Sequence, residues 1–220
     1  MAKNKFSLKT VLLEIFIVIV GISIAFWLNN WGEERKERRL EKEFLKSLRS
    51  ELATDSTAFV YQIEQNERNL RHLNSFVSIL RNKDYENDSI QWYIGTFLNR
   101  NNWIINANTF EILKSGGKLD IIQDFELRSE ISYFFRIRTY QTEQTLDVVQ
   151  AFLDNQMNAY LIKNTDYFIQ YKPQKGFVRD TEFQNLLASW TDMTDEKLLL
   201  YEDILEEITY LISKLDDQLK

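Results

Sequence analysis

The sequence predicts an all-α protein: a single N-terminal transmembrane helix continuing into a stalk and an up-down helical bundle. Three observations predict it. Only one proline, Pro173, and six glycines occur in 220 residues, so helix breakers are scarce. Apolar residues recur three and four apart over long stretches, and sustained alternation of apolar and polar residues is rare. The run from Val11 to Trp31 (VLLEIFIVIVGISIAFWLNNW) is almost wholly apolar in a chain that is 27% charged.

That run sets the first element. At ~1.5 Å rise per residue it reaches about 31 Å, the thickness of a bilayer's hydrocarbon core. Trp27 and Trp31, beside Asn29 and Asn30, stand where rings with a polar edge favour the membrane interface. Residues 1–10 then form a basic tail, 11–31 the anchor, and 32–220 the stalk and bundle. A secretory signal peptide is the competing reading, from Lys3, Lys5, Lys9 and the small-x-small triplet Ser23-Ile24-Ala25. The apolar stretch is long for a signal core, and Phe26, Trp27 and Leu28 continue it past the cut, which favours an uncleaved anchor. Basic residues on both flanks oppose each other in setting orientation. Because those after the anchor alternate with glutamates and open a long domain, the N-terminus is expected inside and the domain outside. Having no cysteine fits either compartment.

Charge narrows the partners. The first 31 residues hold three of the 27 basic and one of the 33 acidic residues, so the rest carries 24 against 32, about −8. A nucleic-acid surface needs clustered Lys and Arg, so no nucleic-acid partner is expected. Some 190 residues and 14% aromatic content suffice for one core.

From Glu33 to about Leu80 there is no glycine or proline, and Leu45, Leu48, Leu52, Phe59, Ile63, Asn66, Leu70, Leu73, Val77 and Leu80 trace a narrow seam, with a kink expected near Thr54 to Thr57. The turn from Asn82 to Asp88 superficially resembles a calcium loop, but Ser89 replaces the needed glycine and Gly95 the bidentate glutamate. Asp88 with Gln91 reads instead as the cap of a short helix reaching about Leu98. A second short helix is expected from Asn108 to Ser115, stopped by Gly116-Gly117. Asp124 should cap a long helix to about Lys163, with Ile131, Phe135, Leu146, Val149, Leu153 and Tyr160 near one stripe. Asn164 to Thr181 is a connector with some extended structure around Tyr167 to Tyr171, and Thr181 with Gln184 opens a short helix. The last helix, about Asp195 to Leu219, has the seam Leu198, Tyr201, Leu205, Ile208, Ile212, Leu215, Leu219.

Two blocks, EIFIVIVGISIAFWLNNWGEERKERRLEKEFLKSLRSEL and TFEILKSGGKLDIIQDFELRSEIS, together resemble an uncharacterised family of bacterial single-pass membrane proteins. Its pattern is an anchor with an early Glu, an Asn-Asn-Trp exit, a charged stalk and a Leu-Lys-Ser-x-Gly-Lys-Leu segment. The resemblance implies a place in the bacterial inner (cytoplasmic) membrane and an α-helical domain, and brings no activity, substrate or catalytic residue.

Glu14 is the residue the sequence singles out, because an ionisable group within an apolar span is costly. Steps of three and four from it reach Val18, Gly21, Ala25, Leu28 and Gly32, which places the carboxylate and the small residues on one face. Gly21-x-x-x-Ala25 lets another backbone approach closely, so this face is a candidate helix-helix contact with a second copy or another membrane protein. The plainer alternative is that Glu14, one turn inside the interface, snorkels to Lys9 or water. A third reading puts Glu14 in ion or proton translocation.

Elsewhere the chemistry is thin. His72 is the only histidine and there is no cysteine, so zinc is not expected, and no cofactor is implied. No Gly-x-Ser-x-Gly nucleophile elbow occurs. Trp92, Tyr93, Arg100, Trp103 and Phe110 mix apolar and hydrogen-bonding character and could line a ligand or peptide pocket, or cap the bundle core. The expected function is therefore non-enzymatic: a membrane-anchored scaffold or accessory subunit, with an extracytoplasmic sensor or ligand-binding module as the alternative.

Overall fold

A computed structural model describes residues 8–98, 102–166, 172–173 and 176–220. Its dominant element is α1, a single helix of 74 residues from Leu8 to Arg81, about 110 Å long at 1.5 Å per residue. From Leu12 to Arg39 every side chain of α1 is exposed. From Glu41 onward one side of α1 is buried at a strict three-four spacing: Leu45, Leu48, Leu52, Asp55, Phe59, Gln62, Asn66, Asn69, Leu73, Phe76 and Leu80. This register differs from the apolar seam expected beyond Phe59. Ile63, Leu70 and Val77 are only half-buried, while Asp55, Gln62, Asn69 and Phe76 take the core positions. Nor does α1 break near Thr54 to Thr57. The Thr54 and Thr57 hydroxyls donate to the Ser50 and Ala53 carbonyls, which satisfies them within the helix.

The chain then descends beside α1 through two short helices. In α2 (Ile90–Thr96) the N-cap is Ser89, not Asp88, and no side chain caps the helix; the Asn87 side chain accepts from the Ser89 amide instead. The next helix, α3 (Asn108–Ser115), has the expected bounds. It ends in paired bonds from the Gly117 amide to Lys114 O and from the Lys118 amide to Leu113 O, with Gly117 at φ +62°. A Cβ on Gly117 would meet no atom within 4 Å, so Gly117→Ala tests the backbone conformation alone. It is expected to lower the unfolding free energy by about 1 kcal/mol, read as a shift of the denaturant midpoint at unchanged slope.

Asp124 accepts from the Leu127 amide and opens α4 (Phe125–Phe152), as the sequence suggested. A π-helical turn over Leu153–Met157 joins it to α5 (Asn158–Asn164). The wider turn buries both Leu153 and Met157. Leu146 is half-buried, and Thr142 takes the core side one heptad before Val149. β1 (Thr165–Asp166) and β2 (Lys172–Pro173) form a two-residue antiparallel pair; the extended structure expected at Tyr167 to Tyr171 lies outside the described residues.

A single helix, α6 (Thr181–Leu219, 39 residues), closes the fold. Two helices were expected here, and the capping box at Thr181 and Gln184 is replaced by an Asp180 cap whose carboxylate accepts from the Glu182 amide. α6 runs antiparallel to α1: Arg49 meets Asp216, Phe59 meets Tyr201 at 5.0 Å, and Phe76 meets Phe183 at 5.9 Å. It is antiparallel to α4 and α5 as well, through Arg138 with Glu207, Phe152 with Trp190, and Tyr160 with Phe183. The result is an all-α, up-down bundle carried on one long apolar helix.

Candidate functional site

The helix face from Glu14 to Gly32 comes first. Leu12 to Trp31 is the one segment among the described residues long and apolar enough to cross a membrane, and none of it is buried. Glu14, Val18, Gly21, Ala25, Leu28 and Gly32 are therefore all free for contact, and a Cβ at Gly21 or Gly32 would meet nothing within 4 Å. Trp27 and Trp31 stack at 6.4 Å, and the Arg35 guanidinium sits 3.9 Å from the Trp31 ring centroid. That cation above an aromatic ring suits the boundary where hydrocarbon gives way to water.

Where α1 enters the bundle, three of its carboxylates hold the descending segment by its backbone. Glu41 accepts from the Gln123 amide at 2.7 Å. Glu51 accepts from the Thr109 amide at 3.2 Å and its hydroxyl at 2.7 Å, which caps the N-terminus of α3 from another helix. Asp55, fully buried, accepts from Trp103 Nε1 at 3.0 Å and the Asn106 amide at 2.9 Å. Burial pushes the Asp55 carboxyl up, and its two donors pull it back. Tyr201 completes the junction by accepting from the Trp103 amide at 3.0 Å. The two sequence blocks that carry the family resemblance, 14–52 and 109–132, thus meet through Glu41 with Gln123 and Glu51 with Thr109. Hydrophobic patterning missed all three acids; Glu41 and Asp55 fall on the core side of a three-four count from Leu45, and Glu51 stands half-buried beside Leu52.

Midway along, a polar belt divides the core. Below it one cluster packs Leu45 to Phe59 against Tyr201 to Leu215 and Ile131 to Phe135. Above it a second packs Leu73 to Leu80 against Phe183 to Trp190 and Val149 to Leu161. Between them lie buried Gln62, Asn66 and Asn69 of α1, Thr142 of α4, and Thr191, Thr194 and Lys197 of α6. Most are satisfied by their own helices: Asn66 donates to Gln62 O, Thr191 to Leu187 O, Thr194 to Trp190 O, and Thr142 to Arg138 O. Gln62 Oε1 and Asn69 Nδ2 are buried with no partner among the described residues. Lys197, 1% exposed, donates to Asn102 Oδ1 at 3.2 Å and lies 6.0 Å from the Trp190 ring. Burial lowers its ammonium pKa to about 8. A cleft of about 260 Å³ reaches Lys197 between α4 and α6, past Gln144, Val148, Met193 and Glu196.

The aromatic group that the sequence offered as a pocket lining or a cap of the bundle core is spread along the bundle. Trp92 packs edge-on to His72, and Tyr93 stacks on Phe76. Trp103 reaches Asp55, and Phe110 stacks on Phe135. Phe76 and Asp55 are about 30 Å apart along the helix, so these rings do not form a common site; Arg100 lies outside the described residues. His72 is an aromatic contact at the core edge. Among the described residues no group of three or more His, Asp or Glu is placed to hold a metal ion.

A family model matches residues 14–190. The chain belongs to a family of unknown function, DUF6090. The DUF6090 match opens at Glu14 and closes at Trp190, so it takes in the apolar face, the charged stalk, the carboxylate junction and most of the belt. Neither a curated protein nor a solved structure matches the chain.

Proposed function

We propose that this protein is a non-enzymatic, membrane-anchored helical scaffold or accessory subunit that assembles through the Glu14 to Gly32 face of α1. The observation that carries the reading is the continuity of α1: one helix of 74 residues is first an exposed apolar span, then an exposed stalk, then the central seam of the bundle. A helix of this kind has no hinge at its exit, so whatever its apolar face packs against fixes the position and rotation of the bundle. The domain stands outside the membrane in this reading. Glu14 strengthens the interface by meeting a donor on the partner helix, where the low dielectric favours a satisfied hydrogen bond.

The chain has no cysteine, so single cysteines introduced from Leu12 to Gly32 report neighbours cleanly. Cross-links in native membranes are expected at Val18, Gly21, Ala25 and Leu28, to a second copy or to another protein. A flat profile around the helix would refute assembly through this face.

The belt favours a second reading, a ligand-binding module. Its support is the pair of buried unpartnered atoms, Gln62 Oε1 and Asn69 Nδ2, in the same layer as Lys197 and its cleft. A small polar ligand bound there raises the melting temperature of the full-length protein in proportion to the logarithm of its concentration. No shift across a panel of small acids, sugars and amines would remove this reading.

A further inference from the structure

Continuing the three-four steps of the Glu14 face past Gly32 lands on Arg35, Arg39, Lys42 and Lys46, all exposed. At about 100° per residue these and Arg38 fall within an arc of about 100° that holds no carboxylate. Glu34, Glu37 and Glu41 lie on the side that leads into the buried seam, and Glu43 borders the cationic arc at its edge. None of Arg38, Arg39, Lys42 and Lys46 forms an ion pair with a described residue. The nearest acids of α6 are already engaged, Asp216 with Arg49 and Asp217 with Lys220. One edge of the stripe meets the last turn of α6, where Arg38 and Lys42 line a cleft of about 350 Å³ with Gln218 and Leu219. Its other edge is open.

Three occupants could neutralise this stripe, and reach and repulsion separate them. Lipid headgroups extend only about 5–8 Å beyond the hydrocarbon, with a screening length of about 8 Å. Lys42 and Lys46 stand about 16 and 22 Å beyond Trp31 along the helix, too far for that layer. A second copy packed in parallel through the Glu14 face would set Arg35, Arg39, Lys42 and Lys46 against themselves, and like charges at successive contact positions oppose association.

We infer that the stripe is the docking surface for a different single-pass protein, whose helix packs on the Glu14 to Gly32 face and whose first turns beyond the membrane carry a matching row of Asp and Glu. This rests on the scaffold reading and specifies its partner. The small residues admit the partner's backbone within the bilayer, and the cations select it outside by complementary charge.

The test co-reconstitutes the full-length protein in phosphatidylcholine vesicles with two synthetic single-span peptides. They share one small-residue span and differ in carrying four Glu or four Lys at the positions facing the stripe. Energy transfer is expected to show the acidic peptide binding about tenfold tighter, with the preference shrinking at about 0.5 M salt. The R35E/R39E/K42E/K46E variant, whose changes lie on exposed positions and should leave the melting curve intact, is expected to invert the preference. Equal binding of both peptides would overturn the inference while leaving assembly through the apolar face standing. Failure of both peptides to bind, with no cross-links at Val18, Gly21, Ala25 and Leu28, would remove the scaffold reading as well. Self-cross-linking through Arg39 and Lys42 as efficient as at Gly21 would assign the stripe to a second copy. In vesicles that also hold phosphatidylglycerol, its enrichment around the wild type but not the variant, with equal peptide binding, would assign the stripe to lipid; either result overturns the proposal.

Discussion

Asp55→Ala is expected to cost the bundle about 3 kcal/mol, among the largest effects of any polar substitution in the chain. The Asp55 carboxylate is fully buried and receives Trp103 Nε1 and the Asn106 amide. Its removal strands both donors, at about 1–3 kcal/mol each where water cannot replace the acceptor. Alanine also relieves the desolvation that pushes the carboxyl pKa up, so the net loss is smaller than the two donors together. The donors win because Trp103 and Asn106 belong to the segment that leads into α3, and no other described side chain accepts from Trp103 Nε1 or the Asn106 amide. Asp55→Asn keeps one acceptor oxygen but turns an N–H towards the other donor, and should fall between wild type and alanine. The measurement is denaturant unfolding of the full-length protein in detergent, with a Trp103→Phe double-mutant cycle to isolate the pair. A loss under 0.5 kcal/mol for Asp55→Ala would show that water replaces the carboxylate freely.

Lys197→Met is expected to work in the opposite direction, stabilising the protein by about 2 kcal/mol at pH 7. Burial lowers the folded-state pKa of Lys197 to about 8 against an ordinary 10.5, so at neutral pH the folded protein holds a charge that its surroundings disfavour. Between pH 8 and 10.5 the folded state has released a proton that the unfolded chain still binds. Stability therefore rises with pH through that window, by up to about 3 kcal/mol at ~1.4 kcal/mol per pH unit, and the gain is lost as pH falls through 8. The bond to Asn102 and the Trp190 ring offset part of this penalty, hence the smaller figure at pH 7. Methionine retains the reach of the side chain and fills the same space without a charge. Urea midpoints of both proteins from pH 7 to 10.5 should converge as pH rises; parallel curves would mean that Lys197 keeps its proton throughout. A lysine maintained at such a cost also fits the ligand-binding reading of the belt, since the same substitution should abolish any ligand-induced shift in melting temperature.

The long elements were legible because they rest on local information. Scarce glycine and proline, the apolar run, Asp124 as a cap and Gly116-Gly117 as a stop all act within a turn or two of themselves, and α1, α3 and the start of α4 follow from them. The register of the seams was not. Ile63, Leu70 and Val77 are apolar and lie at helical spacing, yet beside the expected Asn66 the core side carries Asp55, Gln62 and Asn69. A polar residue reads as a surface residue until something is known to stand opposite it. The same blindness split α6 in two, because the core side between Trp190 and Leu198 holds Thr194 and Lys197, and it left open a shared pocket for rings that lie at different heights.

By itself, the sequence determined the helical class, the one apolar span and its junction with a charged stalk, since these depend on propensity, length and composition along a contiguous stretch. Tertiary structure alone decided which face of each helix is inward, that three acids of α1 clasp the backbone at Asn106, Thr109 and Gln123, and that a polar belt separates two apolar cores. The physical reason is that a buried polar group is tolerated only when a distant segment supplies its partner or its enclosure. No window of sequence contains both sides of that bargain.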